Sequence, residues 1–368
     1  MEIKAFTIRD LAKALDEDTL WQGPVLPITR HRALAQVNNP RAEPDDLALL
    51  VAYEDGAIVS YLGVLPDKIY VGDQEHKMGW VSCWWSDPNN RNPASLMLLM
   101  KALRAYPDGV GVCGLTKSAA EIYDRMPQFA PLQEIHGILG VVRPGGVPRA
   151  ASQRYEWLER YVPLFDALSA PLDWAVRGWQ RAWAGAALRR DGLRFEYLPA
   201  LDDEASRFIE AHRRSELLRR GKPELDWMLT HPWVLRAPLS DRNAGRYYFS
   251  SAAREFYFLC FKVFEKDGGM AGLVILRIRD DEMTVPYAYW RPGAERAVAR
   301  AIALHLVRSG AKTFRMYNED LIGIVRAHVK GLFVAVPLDK RAVLPKKFGG
   351  IGSLGLCIQD GDADNAFI

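Results

Sequence analysis

Hydrophobic and polar positions along the first 145 residues change period in a definite order. Glu2 to Ile8 alternates as a half-buried strand would, and Arg9 to Asp18 follows with helical spacing and outward charges. A polar stretch from Gly23 to Pro44 reads as a loop, longer than a connection usually is unless it serves binding. Leu47 to Tyr53, Ala57 to Leu65, Lys68 to Val71 and Met78 to Trp85 read as an antiparallel meander, punctuated by Asp55-Gly56 and Gly72-Asp73. An apolar helix through Lys101, a short buried strand from Gly111 to Leu115 and a short helix from Ser118 complete this half.

Pro144-Gly145-Gly146-Val147-Pro148 is the clearest break in the chain. Beyond it, Ser152 to Leu193 is helical in composition and carries Trp157, Trp174, Trp179 and Trp183. Pro163 and Pro171 interrupt this stripe and no strongly basic face accompanies it, so its aromatics are expected to pack between domains rather than lie on a membrane. From Leu193 the order starts again. Strands are expected at Arg194 to Pro199, Glu255 to Glu265, Met270 to Arg279, Met283 to Trp290, Lys312 to Tyr317 and Phe333 to Val336. Helices are expected at Asp202 to Arg220, Gly293 to Arg308 and Glu319 to Val329. The pattern predicts a tandem repeat of one fold, with domains at residues 1–146 and 193–345, a helical linker at 147–192 and a tail at 346–368.

Length supports two domains, since 368 residues exceed what one hydrophobic core usually sustains. Near balance of 48 basic and 45 acidic residues argues against a nucleic-acid partner. Cys83, Cys113, Cys260 and Cys357 form no Cys-x-x-Cys pair, and the histidines show no metal spacing, so no metal or disulfide framework is expected. A start without signal-peptide layout and the lack of an apolar run of ~20 residues lead to an expectation of a cytoplasmic protein with no membrane partner.

The richest chemical signal is Trp84-Trp85-Ser86-Asp87-Pro88-Asn89-Asn90-Arg91-Asn92-Pro93-Ala94-Ser95-Leu96, running into the apolar helix. A strand that stops at proline, a turn carrying one arginine and a helix N-terminus aim backbone N–H groups at an anion. The segment resembles the acyl-CoA site of the GNAT superfamily of N-acyltransferases. Ser86-Asp87-Pro88 occupies the family's Val-x-Pro place, Arg91 the basic place, and Ala94 and Leu96 the two glycine places. Ala119 and Tyr123 match the Ala-x-x-x-Tyr of the next helix, with Gln128 where a glycine would stand.

The resemblance implies an α+β fold, two tandem GNAT-like domains, each with a mixed, mostly antiparallel sheet flanked by helices. It implies acyl transfer, most simply of acetyl, from acetyl-CoA or another acyl-CoA to a primary amine of a small molecule or sugar. A bulge in the fourth strand would offer backbone N–H near Trp85, Ser86 and Asp87 to the thioester, and Tyr123 would protonate the departing thiolate. Cofactor contacts are expected from Trp85, Ser86, Arg91, Asn92, Ala94, Ser95, Leu96 and Ser118. Asp87 is the first candidate for the base, with Glu75, His31 or an ordered water as others. In the second half Glu295 stands in the turn where phosphate would need donors, so one acyl-CoA per chain is expected.

Tyr247-Tyr248-Phe249, with Trp227 and Trp233, is a candidate acceptor lining in the second half, with core packing as the alternative. The basic run from His212 to Lys222 is expected to be a solvated helix face. A homodimer is compatible with all of this. The rival readings are a Fem-type aminoacyl ligase, disfavoured by the near-neutral charge, and a GNAT-like binding protein without activity.

Overall fold

The computed structural model describes residues 1–90, 93–152, 155–236, 243–329, 331–349 and 355–367. The first stretch runs β1 (Glu2–Thr7), α1 (Ile8–Glu17), α2 (Arg30–Val37), β2 (Leu47–Glu54), β3 (Ala57–Val71) and β4 (Gln74–Ser86). It continues with α3 (Ala94–Ala105), β5 (Val110–Cys113), α4 (Lys117–Asp124) and β6 (Gln133–Val141). Next come α5 (Val147–Ser152), α6 (Val162–Asp191), β7 (Arg194–Leu198), α7 (Asp203–His212), α8 (Lys222–Thr230), β8 (Leu235–Arg236) and β9 (Ala252–Ala253). The last stretch holds β10 (Phe256–Phe264), β11 (Met270–Arg279), β12 (Glu282–Trp290), α9 (Glu295–Ser309), β13 (Thr313–Met316), α10 (Glu319–His328) and β14 (Val334–Val343).

Two compact units emerge, and their limits differ from the sequence boundaries at 146, 192 and 345. Unit 1 comprises residues 1–134, 214–254 and 341–368, and unit 2 comprises residues 135–213 and 255–340. The physical reason is a strand exchange. In unit 1 the strands follow the order β1, β2, β3, β4, β5, and the sixth place goes to the end of β14, where Ala342 and Val343 pair antiparallel with Cys113 and Val112. In unit 2 the order is β7, β10, β11, β12, β13, and the sixth place goes to β6, whose Ile138 to Val141 pair antiparallel with β13. Each unit therefore repeats the same mixed sheet and completes it with a strand from the other end of the chain.

Other differences have local causes. The supposed loop from Gly23 to Pro44 contains α2, because the buried Thr29 caps it through its side chain and the helix buries Ala33 and Ala35. Pro66 does not divide the third strand, since it pairs with Gly79 inside a continuous β3. Asp55-Gly56 forms the hairpin turn it signalled, both residues having positive φ.

Residues 214–254 join unit 1 through a buried ion network. Arg41 contacts Asp67 at 2.8 Å and Glu224 at 2.9 Å, while Arg220 reaches the second oxygen of Asp67 at 3.1 Å. The basic run thus leaves its helix at His212 and turns Arg220 inward, against the expectation of a solvated face. Tyr247, Trp227 and Trp233 are buried in unit 1, not in the second half of the repeat. Trp157, Trp174 and Trp179 also depart from expectation, being exposed, whereas Trp183 packs on the core of unit 2.

Candidate acyl-transfer site

Parallel pairing of β4 with β5 covers Gly79, Trp80 and Val81 and no further residue among those described. One residue later β4 bulges. Tyr61 pairs with Trp85 and Gly63 with Ser82, so Cys83 and Trp84 together oppose Leu62, and Cys83 adopts φ of 54°. The strand is thereby turned away from β5 at a definite point. The bulge lies at Cys83 and Trp84, two residues before the backbone that the sequence pointed to. The reason is visible in the hydrogen bonds: Trp85 O accepts from Ser60 Oγ at 2.8 Å, Ser86 Oγ lies 2.9 Å from the same hydroxyl, and Asp87 N donates to Val59 O at 2.9 Å. Trp85, Ser86 and Asp87 are committed to β3.

Asp87 has a turn role as well. Its Oδ1 accepts from Asn89 N at 2.9 Å and Asn89 Nδ2 at 3.2 Å, which orders the chain between β4 and α3. Arg91 and Asn92 lie outside the described residues. Helix α3 starts at Ala94, and its N-cap residue, Pro93, makes no side-chain capping bond. Ala94 is fully buried, Ser95 is half-buried, and Leu96 turns its side chain to solvent at 49% exposure. Leu96 therefore stands outside the core despite replacing a glycine of the motif. Ser118 lies in the first turn of α4, whose cap is Thr116.

Tyr123, on α4, is buried in the core, 1% exposed, with its ring edge-on to Trp84 at 6.1 Å and to Phe129 at 5.0 Å. Its hydroxyl is buried with no hydrogen-bond partner among the described residues. Burial pushes the phenol above its ordinary value, so it stays protonated throughout the physiological range. The site thus holds a phenol with an unanswered donor next to the bulge.

Several groups at the parting of the strands were not legible in the sequence. Arg32, buried on α2, donates to Tyr247 Oη at 2.8 Å and Ser82 Oγ at 2.8 Å, contacts Cys83 Sγ, and lies over the Trp233 ring at 4.1 Å. Burial alone would lower its pKa, but Cys83, Tyr247 and Asp364 outweigh this and raise it. Ser82 in turn donates to Asp364 Oδ2, and Asn365 Nδ2 donates to Cys113 Sγ at 3.3 Å. The tail therefore touches both parted strands, β4 at Ser82 and β5 at Cys113. A tail without periodicity gives no sign of this. The other base candidates lie elsewhere: Glu75 pairs with Lys68 on the far hairpin, and His31 contacts Trp233 O at 2.6 Å.

Unit 2 repeats the backbone device. β12 pairs in parallel with β13 from Glu282 to Thr284, and the ladder to β11 then slips, with Ile275 opposite Tyr287 and Arg277 opposite Thr284. Its helix turn differs, for Glu295 Oε1 accepts from Gly293 N at 3.1 Å and so occupies a donor that phosphate would need.

Comparisons with known proteins find a likeness to this geometry over part of the chain. Residues 21–127 match the model of the acetyltransferase (GNAT) domain. The matched segment falls within unit 1, so this part of the chain is similar to a GNAT acetyltransferase domain. No curated protein matches the chain. Among solved structures, a probable N-acyltransferase of Enterococcus faecalis shares 11% identity over 94% of this chain and 73% of its own, with a TM-score of 0.49. A GCN5-related N-acetyltransferase of Kribbella flavida shares 13% over 93% and 71%, with a TM-score of 0.45. The N-myristoyltransferase of Saccharomyces cerevisiae, solved with myristoyl-CoA, shares 10% over 92% and 82%, with a TM-score of 0.47.

Gly63 faces the bulge, and a Cβ there would lie 2.7 Å from Ser82 O and 3.0 Å from an Arg32 nitrogen. Gly63→Ala must therefore displace backbone. It should lower unfolding stability by ~1–3 kcal/mol in urea titration, and an unaffected midpoint would contradict the assigned register.

Proposed function

We propose that unit 1 transfers an acyl group, with acetyl as the first candidate, from an acyl-CoA to the primary amine of a small molecule or sugar. The observation that carries this reading is the parting of β4 from β5 at the Cys83 bulge, with the unanswered Tyr123 hydroxyl beside it. Acyl-CoA supplies the activated thioester. The N-terminal turn of α3 would receive its phosphates, and the backbone at Cys83 and Trp84 would face the thioester oxygen. Tyr123 would give its proton to the leaving thiolate, a transfer suited to a phenol that remains protonated until needed.

For the base, Asp364 joins Asp87 as a candidate. Asp364 is a buried carboxylate held by Ser82 at the edge of the bulge, whereas Asp87 Oδ1 accepts from Asn89 in its turn. The amine must lose a proton to attack, and a carboxylate at this edge can take it directly or through a water.

Calorimetry of the whole chain with acetyl-CoA and with a longer acyl-CoA, followed by mass spectrometry of an amine panel, tests the reading. One acyl-CoA per chain is expected, because Glu295 occupies the corresponding turn of unit 2. Absence of any acyl-CoA binding would overturn the proposal, and two equivalent sites would overturn the division between units.

Tyr123→Phe removes one hydroxyl from a packed ring. It should reduce kcat on the order of 10²-fold while KM for acyl-CoA moves little, and turnover at the parental rate would exclude the acid role.

Asp364→Asn keeps shape and the contact to Ser82. A fall in kcat/KM for the amine of about 10²-fold, with melting temperature retained, is the expected result. Full activity would return the base role to solvent.

A further inference from the structure

Of the aromatic acceptor lining expected from the sequence, Trp227, Trp233 and Tyr247 are buried, whereas Tyr248 and Phe249 reach solvent. Tyr248 is 72% exposed, its ring edge-on to Phe249 at 5.1 Å. Phe249 is half-buried and meets the ring of Tyr61 at 6.4 Å, and the half-buried Trp85 stacks on the same ring at 5.2 Å. Tyr61 is fully buried, so it is the floor of a shelf whose outer surface is Trp85, Phe249 and Tyr248.

This shelf is fixed before any ligand arrives. Asn243 closes its loop, donating from Nδ2 to Ser251 Oγ at 3.1 Å and accepting at its carbonyl from Arg246 N and Tyr247 N, both at 2.9 Å. Arg246 ties the loop down through Nη2 to Trp21 O at 2.5 Å and Gly23 O at 2.7 Å, and Tyr247 Oη accepts from Arg32 at 2.8 Å. Rings held in this way lose little freedom when something stacks on them, which favours binding.

Position ties the shelf to the transfer centre. Trp85 stands two residues beyond Cys83 on β4, at most about 7 Å along the strand. Trp84 packs in one core cluster with Tyr123 and α3, whereas Trp85 packs on the other cluster with α1 and α2. The phenol and the helix start proposed for the donor therefore lie on one face of β4 and the shelf on the opposite face. Arg32, carried by α2, donates to Ser82 Oγ, and Asp364 bonds the same hydroxyl, so this candidate base is on the shelf's side. An acceptor lying on the shelf would reach the bulge from the side opposite the donor, with a carboxylate beside it.

Ring chemistry selects the class of acceptor. Trp85, Phe249 and Tyr248 offer two polar atoms between them, one indole N–H and one phenolic hydroxyl. A polyhydroxylated sugar needs several convergent donors and acceptors, whereas an aromatic body gains from stacking beyond the area it buries. A short alkyl arm spans the distance from the shelf to the bulge.

We infer that the acceptor is an arylalkylamine, its ring laid on Trp85, Phe249 and Tyr248 and its amine at the Cys83 bulge. The inference rests on the acyl-transfer reading for the place of the amine and adds the class of body that carries it. In the transfer the amine nitrogen bonds the acyl carbon, the carbon–sulfur bond breaks, one amine proton passes to the base, and CoA leaves as its thiol.

The test is calorimetry of the full chain with phenethylamine, glucosamine and spermidine, each without acyl-CoA, followed by turnover of the same amines with acetyl-CoA. Phenethylamine is expected to bind at least ~10-fold more tightly than the other two. Tyr248→Ala should weaken its binding about 3- to 10-fold, and Tyr248→Phe, which keeps the ring, should retain it. If circular dichroism shows Tyr248→Ala misfolded, Tyr248→Leu replaces it and should weaken binding likewise. Equal or tighter binding of glucosamine or spermidine, no binding of phenethylamine, or parental affinity in the folded variant would overturn the inference. The two readings fail separately: phenethylamine that binds but is never acylated removes the transfer reading and leaves the shelf's ligand class, and acylation of glucosamine without phenethylamine binding removes this inference alone.

Discussion

What happens to β4 immediately after Val81 sets the terms for unit 1. Parallel pairing with β5 ends there, and Cys83 takes a left-handed conformation that costs a non-glycine residue roughly 1–2 kcal/mol. The neighbourhood must hold that conformation in place. On the facing strand Gly63 allows close approach, and the Arg32 guanidinium contacts Cys83 Sγ and Ser82 Oγ on either side of the turn in the strand. The same kink that parts the strands also brings Trp84 edge-on to Tyr123. Opening of the sheet and placement of the phenol are one structural event.

The kink is stabilised by an interaction that could not stand alone. Taking a guanidinium out of water costs several kcal/mol unless its hydrogens are met. Ser82, Tyr247 and Cys83 meet hydrogens on the two terminal nitrogens, Nε has no partner among the described residues, and the Trp233 face covers the cation, with the Asp364 carboxylate one hydrogen bond away through Ser82. These partners come from four separate stretches of chain. The tail is fixed in turn by Arg220, which donates to Ala363 O at 2.7 Å, and by Phe367, stacked on Trp233 at 4.7 Å. Residues 214–254 and 341–368 are consequently part of the first sheet's chemistry, not appendages of the second.

The sequence carried the repeat and most of the strands because the apolar runs of β2, β3, β10, β11 and β12 are long and the turns β2–β3, β3–β4 and β10–β11 have Gly56, Gly72 and Gly268 at positive φ, while Asp280 takes that place between β11 and β12. Tyr123 was singled out only through the family resemblance, whereas the helices α3 and α4 were legible through periodicity. Domain limits were not, because which strand completes a sheet depends on pairing between distant segments, and β6 and the end of β14 have ordinary strand patterns wherever they go. Arg32 and Asp364 were hidden for a related reason. A single arginine in a polar stretch and one of several aspartates in a tail look solvated until folding places them against the same serine. The aromatic stripe of α6 was misread in the opposite direction, since periodicity locates an apolar face but does not say which side the rest of the protein occupies.

Unit 2 has parted strands of the same kind in different surroundings. β12 leaves β13 after Thr284 and slips against β11 at once, as β4 does against β3. There the strand carries Met283, Val285 and Tyr287, all buried among the apolar side chains of α9 and α10 or fully enclosed, and the helix that follows opens with a carboxylate on its own turn. The sixth strand in that unit, β6, brings Ile138 and Leu139 into the core. In unit 1 the sixth place is filled by the end of β14, and the chain that follows it carries Asp364 and Asn365 to Ser82 and Cys113. The exchange of final strands is thus the step that separates the two copies chemically: the same backbone device receives polar groups from the tail in one unit and apolar packing in the other.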